Sequence, residues 1–329
     1  MHATSPAQFE ATRDRTTPPL EQVRDNLWAL PLPIPGGYMT YSILYLLRDA
    51  DGGIHLIDPG WNSAENWQRL QEALTQLGLS IDDVRSSTGT HIHPDHVGMA
   101  ERVRDRSGAI VRVLAAEVDS IDVQGISPQT RERNIVDWGV PDDRREELRR
   151  MLVGLPERDL PSIDEPLIDG QRLDIPGYDL TVMATPGHTP GSLCLRDDSR
   201  ALMFTGDHLL PMMHPGIGLG GPSASNPLAD YLASLEAIRA YPDYEVLPGH
   251  GYRFTGLAGR AATSAAHHLR RSAEVRAVME TDPDASVWTI ARQLTWTSGW
   301  EKLVGFYLYS ALAQTAMHRD YLARASSSP

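Results

Sequence analysis

The chain has a single cysteine, Cys194. That excludes an intrachain disulfide and leaves no thiolate cluster for a cysteine-rich metal site. Lysine is almost missing: Lys302 is the only one among 30 basic residues, a bias that a GC-rich genome produces without any function. Basic residues face 43 acidic ones, giving a net charge of −13. This balance argues against a nucleic-acid partner, because a grip on phosphates needs clustered Lys and Arg. No stretch approaches the roughly 18 apolar residues that a membrane span requires. Residues 1–22 lack the apolar core of a signal peptide and are rich in Thr, Pro, Ala and Arg. They are expected to form a disordered leader, with the cytoplasm as the default compartment.

What is present is an ordinary globular composition. Its 329 residues, 41% hydrophobic and 22% charged, are enough for one large domain with an appendage. Residues 41–47 (YSILYLL) and 54–57 (IHLI) read as buried strands joined by the turn Asp51-Gly52-Gly53. Residues 62–77 carry apolar side chains at helical spacing, with Asn62 or Ser63 as N-cap and Gly78 as the stop. Short strands are expected at 84–90, 109–114, 180–184, 193–196, 201–204 and 245–247, with a helix over 227–241. Between them, residues 117–161 hold no strand-like run and include the charged helical stretch DDRREELRRML. This helical insertion stands where a lid over a site would be built. From 260 to 329 the sequence is helical throughout.

The chemistry concentrates at strand ends. The densest motif is Thr90-His91-Ile92-His93-Pro94-Asp95-His96. In an extended segment His91 and His93 point the same way and can grip one ion, while Asp95 and His96 follow where the chain turns into a helix. Three later segments, PGHTPG around His188, FTGD ending at Asp207 and LPGHG around His250, each place glycine directly before the ligand-type residue. Core packing does not explain four such coincidences. Asp58, in LIDPG, reads equally as a turn cap or as a support for the ligand loop. His208 and His214, beside Asp207, are candidates for lining a substrate pocket, as are Tyr38, Trp138, Met212 and Met213 on loop position alone. His2, His55, His267, His268 and His318 read as structural histidines.

The H-x-H-x-D-H motif, followed by isolated His, Asp and His after strands, resembles the metallo-β-lactamase superfamily over about residues 23–255. The resemblance implies an α/β fold, an αββα sandwich spanning 23–259, with a small C-terminal helical domain at 260–329 that resembles the winged-helix-like region of an endoribonuclease branch. It also implies that His91, His93 and His188 bind one metal and that Asp95, His96 and His250 bind a second. Asp207 would bridge the two and Asp58 would support the metal loop. Two divalent ions, Zn2+ foremost and Fe or Mn as alternatives, would share a hydroxide that attacks a carbonyl, with Asp95 orienting it or accepting its proton. The expected activity is hydrolysis of a small-molecule carboxylic ester, thioester or lactone. A metal-dependent endoribonuclease and an iron-dependent redox enzyme are the alternatives, since this fold hosts several chemistries. One feature departs from the family pattern: residues 84–90 (VRSSTGT) are polar where a strongly apolar strand is usual, which predicts a loosened or exposed strand. The apolar cluster at 303–312 leaves a homodimer open.

Overall fold

The strand and helix periods of the sequence translate into a computed structural model that describes residues 1–36, 39–122, 128–153, 160–220, 223 and 225–327. Its elements run, in order, β1 (His2–Ala3), α1 (Pro6–Asp14), β2 (Glu21–Arg24), β3 (Leu27–Pro33), β4 (Tyr41–Arg48), β5 (Ile54–Ile57), α2 (Ala64–Gln76), β6 (Val84–Thr88), α3 (Pro94–Val97), α4 (Ala100–Ser107), β7 (Ile110–Leu114) and α5 (Ala115–Asp122). Then come α6 (Pro128–Asp137), α7 (Asp142–Val153), β8 (Glu165–Leu167), β9 (Leu180–Ala184), β10 (Leu193–Asp197), β11 (Leu202–Gly206), α8 (Pro227–Ile238), β12 (Glu245–Pro248), β13 (Phe254–Thr255), α9 (Leu257–Thr281), α10 (Val287–Ala291) and α11 (Gly305–Ser327).

Among the described residues the strands form two sheets, ordered β2-β3-β4-β5-β6-β7-β8 and β1-β13-β12-β11-β10-β9. Alternate side chains of both sheets meet in a shared core, with Tyr45, Leu47, Ile43 and Leu27 of one against Val182, Leu195, Phe204 and Leu247 of the other. The opposite face of the first sheet is covered by α2 and α4 through Trp67, Leu70, Leu74 and Val103. α8 and α9 cover the second through Leu228, Tyr231, Leu235 and Leu257. The result is an αββα sandwich. α2 illustrates how the pattern becomes structure. Ser63 caps it by accepting from Asn66 N, and Trp67, Leu70, Ala73 and Leu74 are its buried stripe. Leu70 and Leu74 each contribute about 1.5–3 kcal/mol of burial.

Two expectations need correction. Residues 84–88 are not a loosened strand: β6 lies in the middle of its sheet, parallel to both β5 and β7. Ser86, Ser87 and Thr88 are buried while Arg85 points out, and Ser86 Oγ is paired with His55 Nδ1 at 2.7 Å. His55 Nε2 lies 3.0 Å from Asp49, so a polar trio takes the place of apolar packing. The first 22 residues are not a disordered leader either. β1 pairs with β13, and α1 is capped by Ser5, whose Oγ accepts from Gln8 N. Ser5 Oγ donates to Glu21 (2.5 Å) and Thr4 Oγ1 donates to Glu245 (2.5 Å). Arg253 bonds both carboxylates, at 2.5 and 2.8 Å. The arm is held by hydrogen bonds and buried ion pairs, which leave no hydrophobic period to read.

Residues 257–327 form helices and a short 3-10 turn, without a strand, so the wing of a winged helix is missing among the described residues. The insertion does not stand apart from them. Ile135, Trp138, Val140 and Leu148 from α6, α7 and their connection share one core with Val287, Ala291, Leu303, Leu308 and Leu312. Residues 123–127 and 154–159 of the insertion, and the pocket candidate Tyr38, lie outside the described residues. No helix among the described residues is long and apolar enough to cross a membrane.

Candidate metal centre

Strand direction gathers the seven candidate residues. β5 and β6 are parallel, and β11 and β12 are parallel. Two antiparallel steps relate β9 to β11, so β9 also runs with them. Asp58 follows β5, His91 and His93 follow β6, His188 follows β9, Asp207 follows β11 and His250 follows β12. Asp95 and His96 sit in α3, directly after the His91–His93 segment. All seven converge into overlapping groups: His91, His93 and His188; His91, His96 and Asp207; Asp95, His96 and His250.

The hydrogen bonds of each imidazole fix its tautomer. His188 Nδ1 donates to Gly216 O (2.6 Å), and His250 Nδ1 donates to Tyr41 O (2.8 Å). His96 Nδ1 donates to Asp58 Oδ2 (2.8 Å). The Thr90 hydroxyl proton goes to Asp58 Oδ2 (2.8 Å), so His91 Nδ1 is the donor to Thr90 Oγ1 (3.2 Å). In the neutral form of all four rings Nε2 is therefore the nitrogen that turns a lone pair inward. His93 is reversed: its Nε2 faces Leu219 O at 3.5 Å and its Nδ1 faces the centre. His93 Nδ1 lies 2.9 Å from His91 Nε2 and 3.0 Å from His188 Nε2. His96 Nε2 and His250 Nε2 are 3.2 Å apart. Lone pairs facing one another at these separations repel unless a cation lies among them. The residues fit divalent metal ions.

The carboxylates complete the picture. Asp207 Oδ1 is buried without a hydrogen-bond donor, although it lies 3.2 Å from His250 Nε2 and 3.4 Å from His96 Nε2. Its Oδ2 faces the other way, 3.6 Å from His188 Nε2. Asp207 thus presents one oxygen to each group. Asp95 Oδ2 is 3.3 Å from His250 Nε2, and Asp95 keeps an edge exposed. Against burial, Asp58, Asp207 and Asp95 push His96 well above the ordinary histidine range, and Asp207 and Asp95 push His250 up to about 10. Burial pushes His91 and His188 down. The negative field around His96 and His250 calls for positive charge, which divalent cations would supply while leaving the rings neutral.

Space as well as backbone freedom dictates the glycines. Gly206 has φ +47, and a Cβ there would sit 2.2 Å from Thr90 Oγ1. At Gly249 the reason is room alone: a Cβ would sit 2.6 Å from the His96 ring. Asp58 adopts φ 55 and accepts from Thr90 N (2.7 Å), Thr90 Oγ1 and His96 Nδ1. It is thus a three-bond brace on the ligand loop rather than a helix cap.

Three contributors carried no sequence signal. Tyr41 holds His250 through its backbone oxygen, while its hydroxyl donates to Gly251 O (2.8 Å) and meets Thr12 Oγ1 of α1 (2.8 Å). Thr90 links Asp58 to His91. Glu117, at the start of the insertion, bonds Ile92 N at 3.3 Å. Beside His250 opens a cleft of about 130 Å3, walled by Met39, Leu210, Pro211, Met212 and Met213, with Arg15 at the end of α1. His208 and His214 do not line this cleft. His208 is buried against Tyr231, with ring centroids 5.1 Å apart, and its ring nitrogens lack partners. His214 stacks on His267 at 4.1 Å and meets Ser264 Oγ at 3.1 Å. Trp138 is packed in the helical core instead.

Comparison with known proteins agrees with this geometry. The family model described as metallo-beta-lactamase superfamily matches residues 39–250, a span that contains all seven residues. The chain belongs to the metallo-beta-lactamase superfamily. It is similar over nearly its whole length to the probable metallo-hydrolase YqjP of Bacillus subtilis, 25% identical over 305 residues that cover 91% of this chain and 92% of the relative. A hydroxyacylglutathione hydrolase, GloC of Haemophilus influenzae, is 26% identical over 221 residues, covering 63% of this chain and 84% of the relative. Among solved structures, a metallo-beta-lactamase family protein of Thermus thermophilus superposes with a TM-score of 0.75 and 27% identity, covering 93% of this chain and 96% of that one. This superfamily member is a metal-dependent hydrolase.

Proposed function

We propose that the protein is a binuclear hydrolase of carboxylic acid derivatives, an ester, thioester or lactone. His91, His93 and His188 hold one divalent ion, Asp95, His96 and His250 hold the second, and Asp207 bridges them. The observation that carries this reading is the convergence of one ring nitrogen from each of five histidines, the other nitrogen of each ring being held by an outward partner. Nitrogen and carboxylate oxygen donors in this number suit zinc. Ions bound there would acidify a water to a pKa near about 7 and polarise the carbonyl under attack. The protein's own groups do the rest. Asp58 and Tyr41 O keep the proton of His96 and His250 on the outer nitrogen. Asp95, exposed along one edge, orients the attacking water and accepts its proton. The methionine-lined cleft beside His250 takes the acyl chain. At about 130 Å3 it is well below the 300 Å3 or more of drug-sized sites, so a short chain is preferred. The similarity to a hydroxyacylglutathione hydrolase supports acyl chemistry.

The test is turnover by zinc-loaded protein of aryl esters, acyl thioesters, lactones and single-stranded RNA, each with and without chelator. Chelator-sensitive acyl hydrolysis is expected, fastest for short chains. RNA cleavage without acyl hydrolysis, or turnover indifferent to chelator, would overturn the reading.

A further inference from the structure

Glu117 lies at the start of α5, in a segment whose charges otherwise read as a solvated helix face, yet its side chain is fully buried. One oxygen, Oε1, accepts two hydrogen bonds from different loops of the metal centre. Ile92 N donates at 3.3 Å from the peptide between His91 and His93. Thr189 Oγ1 donates from the residue after His188. The Thr189 hydroxyl is itself locked: Ser192 Oγ lies 2.7 Å from it and also accepts from Thr189 N at 3.1 Å. Gly191 completes the contact, since a Cβ there would stand 2.3 Å from Glu117 N. The His188 loop is thus pressed against the backbone of α5 and tied to its carboxylate.

We infer that Glu117 is a positioning residue for the three-histidine half of the centre: its carboxylate sets the spacing between the His91–His93 segment and His188. This rests on the reading that those three histidines hold a metal ion. Burying a carboxylate is costly unless its hydrogen bonds are needed, and here they join two segments about 100 positions apart in sequence. The other group, Asp95, His96 and His250, is braced independently by Asp58 and by Tyr41 O. Loss of Glu117 therefore acts on one site and spares the other.

The experiment is cobalt(II) titration of the full-length metal-free protein, followed by visible absorption and by competition with a chromophoric chelator. Partners that orient metal ligands are typically worth about 10–100-fold in affinity. Glu117→Ala is expected to weaken one of two cobalt sites by about that factor, to change its absorption band, and to leave the second site within about threefold. Glu117→Gln keeps an acceptor oxygen and is expected to restore the spectrum and most of the affinity. Should Glu117→Ala not fold, Thr189→Val removes the same bond from the other side and is expected to reproduce the single-site loss. Unchanged affinity at both sites in the alanine or valine variant would overturn the inference. So would an equal loss at both sites, or failure of the glutamine to rescue. A wild-type protein that takes up no cobalt would instead sink the metal reading on which the inference depends.

Discussion

Replacing Asp58 by Asn changes the protonation logic of the centre while leaving its shape almost intact. Asn occupies the left-handed region readily, so the φ of 55 at this position is tolerated. One amide oxygen can still accept from Thr90 N. The amide nitrogen then stands where Oδ2 accepted from His96 Nδ1 and Thr90 Oγ1, at 2.8 Å each. A donor now faces a donor at His96, and the ring answers by moving its proton to Nε2. That nitrogen is the one lying 3.2 Å from His250 Nε2, so the inward lone pair is lost. The disturbance also passes through Thr90 to His91, but over a longer 3.2 Å contact. Taking 10–100-fold for an orienting partner, affinity at the Asp95–His96–His250 group falls by about 1.4–2.8 kcal/mol. The fall at the three-histidine group is smaller. Competition titration with zinc and a fluorescent chelator reads both constants. Two unchanged constants, or a loss confined to the three-histidine group, would refute the tautomer argument.

Asp207→Ala removes the one carboxylate that faces both groups, and is expected to lower metal content below two per chain and nearly abolish turnover; elemental analysis with the ester assay checks it. Burial and neighbouring positive charge push His268 down to about 3, and His318 and His214 to about 4 each. They stay neutral in the fold while the unfolded chain takes up protons below its ordinary value of about 6.5. The stability they contribute is therefore full above about pH 6.5 and is lost as pH falls towards about 4. Urea midpoints at pH 7 and pH 5 are expected to differ less in a His268→Gln, His318→Gln double variant than in wild type; equal differences would contradict the assignment. Trp138→Ala empties a largely buried position in the helical core and is expected to cost about 3–5 kcal/mol in unfolding free energy. Two metals per chain are expected to remain, which separates that core from the metal centre.

The cluster of seven was legible in the sequence because its members follow strands and turn inward, a constraint that writes glycine before His188, Asp207 and His250. Buried strands such as 41–47 were legible from apolar runs, whereas the αββα layering was implied only by the resemblance that the metal-type motifs carry. Other parts were silent for physical reasons. Tyr41 holds His250 with a backbone oxygen, and any residue would have offered the same atom. Glu117 sits in a charged helix, where one buried carboxylate looks like its solvated neighbours. α1 is held by Ser5, Gln8, Glu21 and Arg253, a polar network with no period. β6 reads as loosened because the partner that satisfies Ser86 is His55 on the neighbouring strand, which no local pattern reveals. His208 and His214 read as pocket-lining from proximity to Asp207 alone, which carries no side-chain direction, and the cleft beside His250 is lined instead by Met212 and Met213 between them.

The core shared by residues 135–148 and 287–312 makes two distant stretches of chain a single unit of inheritance. Trp138 O accepts from Trp288 N at 2.9 Å, and Arg144 donates to Leu303 O at 3.1 Å. A relative that acquires a new insertion by recombination therefore inherits a mismatched floor unless the C-terminal helices come with it. Chimaeras that exchange either stretch alone should express poorly, whereas paired exchange moves the whole helical core as one piece. Diversity in this helical layer would then spread in matched pairs of segments.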